Sequence, residues 1–186
     1  MAEVYIGVGA GLTHSNATNG IDEVYVHDST DQKDQTDAGA IIYGGYAFNK
    51  YLAVEADVVD MGSYTWKAQN NGATISAKVE AQGYSVGVVG TYPLSEKFGL
   101  DGKIGVGAID QKFRCLASCD IPDTDTTTTV LVGAIGAHWD ALQYLRIRAS
   151  YEHLGGGHFK AYYSDGEKFT KTADFGLLYA GAELRF

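Results

Sequence analysis

The chain has 186 residues, with 24 glycines, 13 tyrosines, two prolines and a formal net charge of −9. That length suits one domain, read as residues 1–186, and the acidic balance leaves no basic patch for phosphates, which argues against a nucleic-acid partner. No apolar run is long enough for a membrane-spanning helix. Met1-Ala2-Glu3 leads straight into a strand pattern with no secretory leader, as in a mature exported chain with an added Met or a cytosolic chain that never had one.

The first predicted strand covers residues 2–13. Val4, Ile6, Val8, Ala10 and Leu12 share one face, and Tyr5, Gly7, Gly9 and Gly11 the other, as a period of two requires. A face of glycines predicts a crowded interior filled by large side chains from elsewhere. Residues 14–36 are polar, acidic and without periodicity, and read as a long exposed loop. The second strand, 37–48, ends in Tyr46-Ala47-Phe48, and Asn49-Lys50 turns the chain into a third strand, 51–61. There Leu52, Val54, Ala56 and Val58 alternate with Ala53, Glu55, Asp57 and Val59. Residues 62–73 read as a second polar loop.

The fourth strand, 74–92, carries an apolar run bounded by Tyr84 and Tyr92, about 27 Å apart at the usual strand rise. After tilting, that is close to the height of the apolar band of a membrane barrel. Residues 93–97 form a short turn. The fifth strand, 98–110, points Phe98, Leu100, Ile104 and Val106 one way and Asp101 and Lys103 the other. Residues 111–125 read as a third loop carrying Cys115 and Cys119. Their spacing and the lack of further metal ligands nearby predict a loop-closing disulfide in an oxidising compartment. The sixth strand, 126–139, ends on Trp139, and 140–144 is a short turn. The seventh, 145–153, sets Leu145, Ile147, Ala149 and Tyr151 against Arg146, Arg148, Ser150 and Glu152. A Gly-rich loop, 155–168, precedes the last strand. At its end Ala180, Ala182, Leu184 and Phe186 share one face, and Tyr179, Gly181, Glu183 and Arg185 the other.

Eight strands joined by alternating long and short connections describe an all-β, antiparallel up-and-down barrel with four long loops at one end and short turns at the other. The charged faces mix acids and bases, and the opposite faces are nearly free of charge. A soluble lipocalin-like barrel would show the reverse, so the pattern predicts lipid outside and a packed polar lumen inside. The expected lumen ion-pair network is Glu55, Asp57, Asp101, Lys103, Arg146, Arg148, Glu152, Glu183 and Arg185. The expected aromatic girdle is Tyr46, Phe48, Tyr84, Tyr92, Phe98, Trp139, Tyr151 and Phe186. An eight-stranded barrel is just wide enough to be filled by side chains, so ion pairs are expected to plug it.

The run Gly45-Tyr46-Ala47-Phe48-Asn49-Lys50-Tyr51-Leu52-Ala53-Val54-Glu55 resembles a hairpin segment of the OmpA-like β-barrel superfamily, which includes the OmpX-type small barrels. Gly87-Val88-Val89-Gly90-Thr91-Tyr92-Pro93-Leu94 and Leu145-Arg146-Ile147-Arg148-Ala149-Ser150-Tyr151-Glu152 resemble its strand motifs, and the final Phe186 resembles its terminal signal. The resemblance implies residence in a Gram-negative outer membrane after removal of a signal peptide, contact with lipopolysaccharide, and recognition of Phe186 by the barrel-assembly machinery. Small members of the superfamily serve as adhesins, serum-resistance factors and envelope stabilisers. Two-domain members continue into a peptidoglycan-binding domain; the lack of linker residues before Phe186 favours a stand-alone barrel, and a monomer is expected.

The expected function is structural or a surface recognition role carried by the loops, for a host or matrix ligand, without catalysis, cofactor or metal. A narrow solute channel and a soluble lipocalin-like carrier are the alternatives. His14-Ser15-Asn16 faintly resembles the neighbourhood of outer-membrane lipid A deacylases, but the spacing is wrong and no base or orienting acid is in reach. His153 and His158, flanking a glycine run, read as surface residues rather than metal ligands.

Overall fold

The computed structural model describes residues 2–18, 29–117, 124–162 and 168–186. Among these residues nine strands run β1 (Glu3–Ser15), β2 (Ser29–Lys33), β3 (Thr36–Asn49), β4 (Leu52–Asn70), β5 (Ala73–Pro93), β6 (Phe98–Ala117), β7 (Thr124–Leu142), β8 (Leu145–Tyr162) and β9 (Lys168–Arg185). Each pairs antiparallel with its neighbours in the order β1-β3-β4-β5-β6-β7-β8-β9, and β9 returns to β1 from Tyr5↔Arg185 to Ser15↔Phe175. The result is a closed eight-stranded transmembrane barrel. β2 is the extra strand. It pairs with the upper part of β4 (Lys33↔Trp66), directly above β3, from which only Asp34 and Gln35 separate it.

The periplasmic turns are short and locally encoded. The Asn49 carboxamide oxygen accepts the Tyr51 N–H at 2.8 Å, and the Ser95 hydroxyl oxygen accepts the N–H groups of Lys97 and Phe98 at 3.3 and 3.1 Å. Such side-chain acceptors replace a backbone turn at little cost.

At the other end the strands outrun the sequence-based expectation. β5 has 21 residues, about 70 Å of extended chain, whereas a membrane strand needs about 9–11. Residues 62–73, read from sequence as a loop, are the upper half of a β4–β5 hairpin. It closes at Asn71-Gly72, both in the left-handed region with φ of 49° and 78°. Asn-Gly is the sequence most suited to a two-residue turn of this hand, a signal the polar composition concealed. Likewise residues 111–117 continue β6, 124–125 begin β7, and 156–162 continue β8 beyond a bulge between Leu154 and Gly157.

β4 shows how the two halves are joined. A bulge between Asp60 and Ser63 inserts one residue opposite β5. Gly62 sits there at φ 73°, and a Cβ would lie 2.6 Å from the Asp37 carboxylate and 2.7 Å from the Ala38 carbonyl. Asp37 in turn accepts the Ser63 N–H at 2.7 Å and its own neighbour's, Ala38, at 2.8 Å. Those two amides hold the Asp37 carboxyl below the usual carboxylate range.

Candidate functional site

Below the bulge the exterior is apolar. Ile104, Leu131 and Ile135 are 72–74% exposed, and Val4, Ile6, Val8, Leu52, Val54, Val86, Val88, Leu100 and Leu184 join them. A continuous belt of this size is untenable in water and suits lipid. The aromatic residues expected as a girdle all point outward. Phe98 stacks on Trp139 at 6.3 Å and Tyr46 meets Phe48 edge-on at 5.2 Å, both pairs near the periplasmic turns. Tyr84 and Tyr151 stand at the opposite margin.

Inside that belt the barrel holds charge. Arg148 is the hub: its guanidinium reaches Glu55 at 2.7 Å and Glu183 at 3.1 Å, and lies 4.6 Å from the Tyr43 ring centroid. Tyr5 donates to the same Glu55 oxygen at 2.9 Å. Lys103 ion-pairs with Asp57 and lies 3.4 Å from Glu152 and 3.8 Å from Glu55, while Ser85 donates to Asp57 at 2.7 Å. Asp101 contacts His138 Nδ1 at 2.7 Å and accepts from Thr91 at 2.8 Å. Arg146 binds Asp140 through two nitrogens, at 2.7 and 3.1 Å.

Eight of the nine residues expected in the lumen are therefore buried together. Arg185 is not among them. It is half-buried at the periplasmic rim, 3.0 Å from Glu3 and 3.6 Å from Glu183, and so joins the network at its edge. The expected network does not name His138, Tyr5, Tyr43 and Tyr179, all buried here, although alternation sets Tyr5 and Tyr179 on the inward face. His138 was readable, since it alternates with the outward Ala137 and Trp139. The tyrosines explain the glycines: a Cβ at Gly7 would fall 2.3 Å from the Tyr43 ring, and one at Gly45 would fall 2.4 Å from Tyr5.

Above the bulge the faces exchange character. Val59, Met61, Tyr64, Trp66 and Ala68 of β4 turn inward, fully buried, with Ile109, Phe113, Val132, Leu154, Phe175 and Leu177. Thr65, Lys78, Glu80, Asp110, Lys112 and Arg114 face outward. One barrel thus has a polar core within an apolar belt and, on the same strands, an apolar core within a polar wall. Two voids remain among the charges: one of about 290 Å³ toward the short turns, lined by Tyr5, His138, Arg146, Arg148 and Glu183 among others, and one of about 10 Å³ lined by Lys103, Arg148 and Glu152 among others.

Cys115 lies at the end of β6 and is disulfide-bonded, so it sits on a strand rather than in the expected loop. Cys119 lies outside the described residues. His14 and His153 are exposed, and the Ser15 hydroxyl oxygen accepts the Ala17 N–H at 3.1 Å; the His158 side chain lies outside the described residues. Among the described residues no three His, Cys, Asp or Glu side chains converge to hold a metal ion.

Residues 1–181 match the OmpA-like transmembrane domain. The chain belongs to that family. No curated protein matches it. Among solved structures it is similar to the attachment invasion locus protein Ail of Yersinia pestis, in complex with the heparin analogue sucrose octasulfate. The identity there is 19%, the TM-score 0.55, and the match covers 100% of this chain and 99% of that one. Neisserial surface protein A shares 16% identity at a TM-score of 0.61, covering 98% and 97%. The outer membrane protease OmpT of Escherichia coli shares 10% at 0.51, covering 100% and 96%. At these identities the likeness is one of fold. The lipocalin-like reading has no support: the belt of apolar residues faces outward and the charges face inward.

Proposed function

We propose that this OmpA-like barrel is a sealed scaffold whose work is done on the cell surface, by recognition or envelope stabilisation, without catalysis. The observation that carries this reading is the filled interior. Ion pairs occupy the membrane half and Trp66, Tyr64, Met61 and Phe113 the half above it, with a void of only about 10 Å³ around Lys103 and Glu152, which supports a closed rather than a conducting lumen. A rigid extension that stands clear of the bilayer is suited to hold loops for recognition. Between β7 and β8 the wall opens above Leu131↔Gly155: β7 continues on β6 alone, and β8 on β9 alone. Such unzipped strands offer contact surface beyond the loops themselves.

Ail was crystallised with a sulfated glycan analogue. That is compatible with a glycan or matrix ligand for this chain as well, taken at the loops or the outer wall. The girdle residues would settle the barrel at the two membrane interfaces, Phe186 would address it to the assembly machinery as a monomer, and a signal peptide would have been removed on export. The test is paired. Cells displaying the protein are expected to adhere to matrix-coated or host-cell surfaces more than cells without it, and the refolded protein is expected to show no single-channel steps in planar bilayers. Ohmic steps together with solute uptake would favour the channel instead.

A further inference from the structure

The void of about 290 Å³ at the short-turn end is a vestibule, and register explains it. On one side Ala47 pairs with Ala53 and Ala53 with Val89, so three adjacent strands, β3, β4 and β5, turn small apolar side chains inward. On the other side His138 pairs with Arg148, and Arg146 pairs with both Asp140 and Glu183. Long polar side chains on β7, β8 and β9 thus face a wall of methyl groups across open space. Asn49, Lys50, Ser95 and Glu96 of the turns line the mouth, so the vestibule opens to the periplasm. Above Arg148 only about 10 Å³ remains among the charges, which favours a blind site over a passage.

Much of the charge in this wall is already matched. Arg146 holds Asp140, and Arg185 holds Glu3. Three groups at the inner end keep unused capacity. Arg148 is buried, and its Nε has no hydrogen-bond partner among the described residues. His138 turns its Nδ1 to the Asp101 carboxylate, which fixes that nitrogen as the N–H and leaves Nε2 as an acceptor. Glu183 is buried and ion-paired, yet neither of its carboxylate oxygens accepts a hydrogen bond among the described residues. A donor and two acceptors therefore border the same space, with methyl groups opposite. The lining also holds as many carboxylates as Lys and Arg side chains. A ligand of net charge would gain from one set and lose to the other, whereas a ligand with separated, opposite charges gains from both.

We propose that this vestibule binds a small α-amino acid, as the zwitterion, from the periplasm. The ligand carboxylate accepts from Arg148 Nε, its ammonium donates to His138 Nε2 and to Glu183, and a short apolar side chain lies on Ala47, Ala53 and Val89. Arg148 and His138 stand opposite each other on neighbouring strands, about 5 Å apart at the backbone, a separation that an ammonium and a carboxylate on one carbon can bridge. The volume is just under the about 300–1,000 Å³ of sites that hold drug-sized ligands, which suits a ligand of few heavy atoms. This site is separate from the surface role proposed above: it faces the other side of the membrane and uses none of the loops.

The test uses the whole chain refolded into phosphatidylcholine nanodiscs and titrated with L-alanine. Saturable shifts of the Ala53 and Val89 methyl resonances are expected. N-acetylalanine keeps the carboxylate and alanine methyl ester keeps the ammonium; each is expected to bind about tenfold more weakly or worse. Ala53→Leu fills the vestibule and is expected to abolish binding. Val89→Phe does the same from β5 should the first variant fail to fold, and heat-shifted gel migration identifies the folded variants. Lys78→Glu, on the outer wall, is expected to leave binding unchanged. The absence of saturable shifts in the folded wild type would overturn the site, as would full binding by a folded Ala53→Leu or Val89→Phe variant. Binding of N-acetylalanine as tight as that of alanine would overturn the zwitterion and make the vestibule an anion site.

Discussion

Arg148→Ala is expected to destabilise the barrel by about 3–5 kcal/mol, the cost of removing one partner from a buried ion pair and leaving charge uncompensated. The effect is large because the interior holds more acid than base. Glu55, Asp57, Asp101, Glu152 and Glu183 are buried carboxylates, and Lys103, Arg146 and Arg148 are the buried Lys and Arg side chains that face them. Arg146 already holds Asp140. Arg148 bridges Glu55 and Glu183, so its loss takes the nearest cation from two acids on two strands, β4 and β9, and leaves them the more distant Lys103 at 3.8 Å and Arg185 and Arg146 at 3.6 and 4.0 Å. It also removes the cation packed on the Tyr43 ring and leaves that space unfilled. Arg148→Lys is expected to recover only part of the loss, because a point ammonium cannot hold two carboxylates in a planar fork. Urea unfolding in lipid vesicles, followed by the fluorescence of Trp139 in the belt, gives the number. A change within about 0.5 kcal/mol, the size of an ordinary surface substitution, would show that the lumen charges are solvated rather than paired.

Trp66→Ala is expected to cost about as much, 3–5 kcal/mol for a large aromatic removed from a packed core, but at a different place. Trp66 is the largest fully buried side chain, on β4 above the bulge, opposite Ala77 of β5 and Lys33 of β2. Its loss hollows the apolar plug and leaves Arg148, Lys103 and their partners intact. The expected result is therefore split. The β4–β5 hairpin and β2 become open to protease from outside, while the folded form still migrates apart from the boiled form on a detergent gel. Loss of both properties together would mean that the two halves fold as one unit.

The membrane half was legible in the sequence. On Leu52, Val54, Ala56 and Val58 against Ala53, Glu55, Asp57 and Val59, strict alternation and segregated charge give the strand, its two faces and the side that meets lipid. The same pattern on β8 identified Arg146, Arg148 and Glu152. The upper half was not legible, for two reasons. The single extra residue at Gly62 shifts the parity, so inward Val59 and Met61 are followed by Tyr64, Trp66 and Ala68 rather than by residues 63, 65 and 67. The solvent also changes from lipid to water, so a polar face that meant lumen below means exterior above. A reader using one rule for the whole strand loses the pattern at the bulge and writes a loop. The lumen tyrosines were hidden differently: Tyr looks alike at an interface and in a core, and only the glycines opposite, Gly7 and Gly45, mark the rings that need the room.

The exchange of faces along one strand is the feature on which the rest depends, and it is open to direct measurement. Nitroxide labels placed singly at each position from Leu52 to Gln69, in protein refolded into bilayers, report contact with oxygen dissolved in lipid and with a water-soluble relaxant. Leu52, Val54, Ala56 and Val58 are expected to meet oxygen, Asp60, Ser63, Thr65 and Lys67 the aqueous reagent, and Val59, Met61, Tyr64 and Trp66 neither. Aqueous contact at every second residue from Leu52 onward, with no lipid-exposed segment and no crossover at Asp60, would contradict the account.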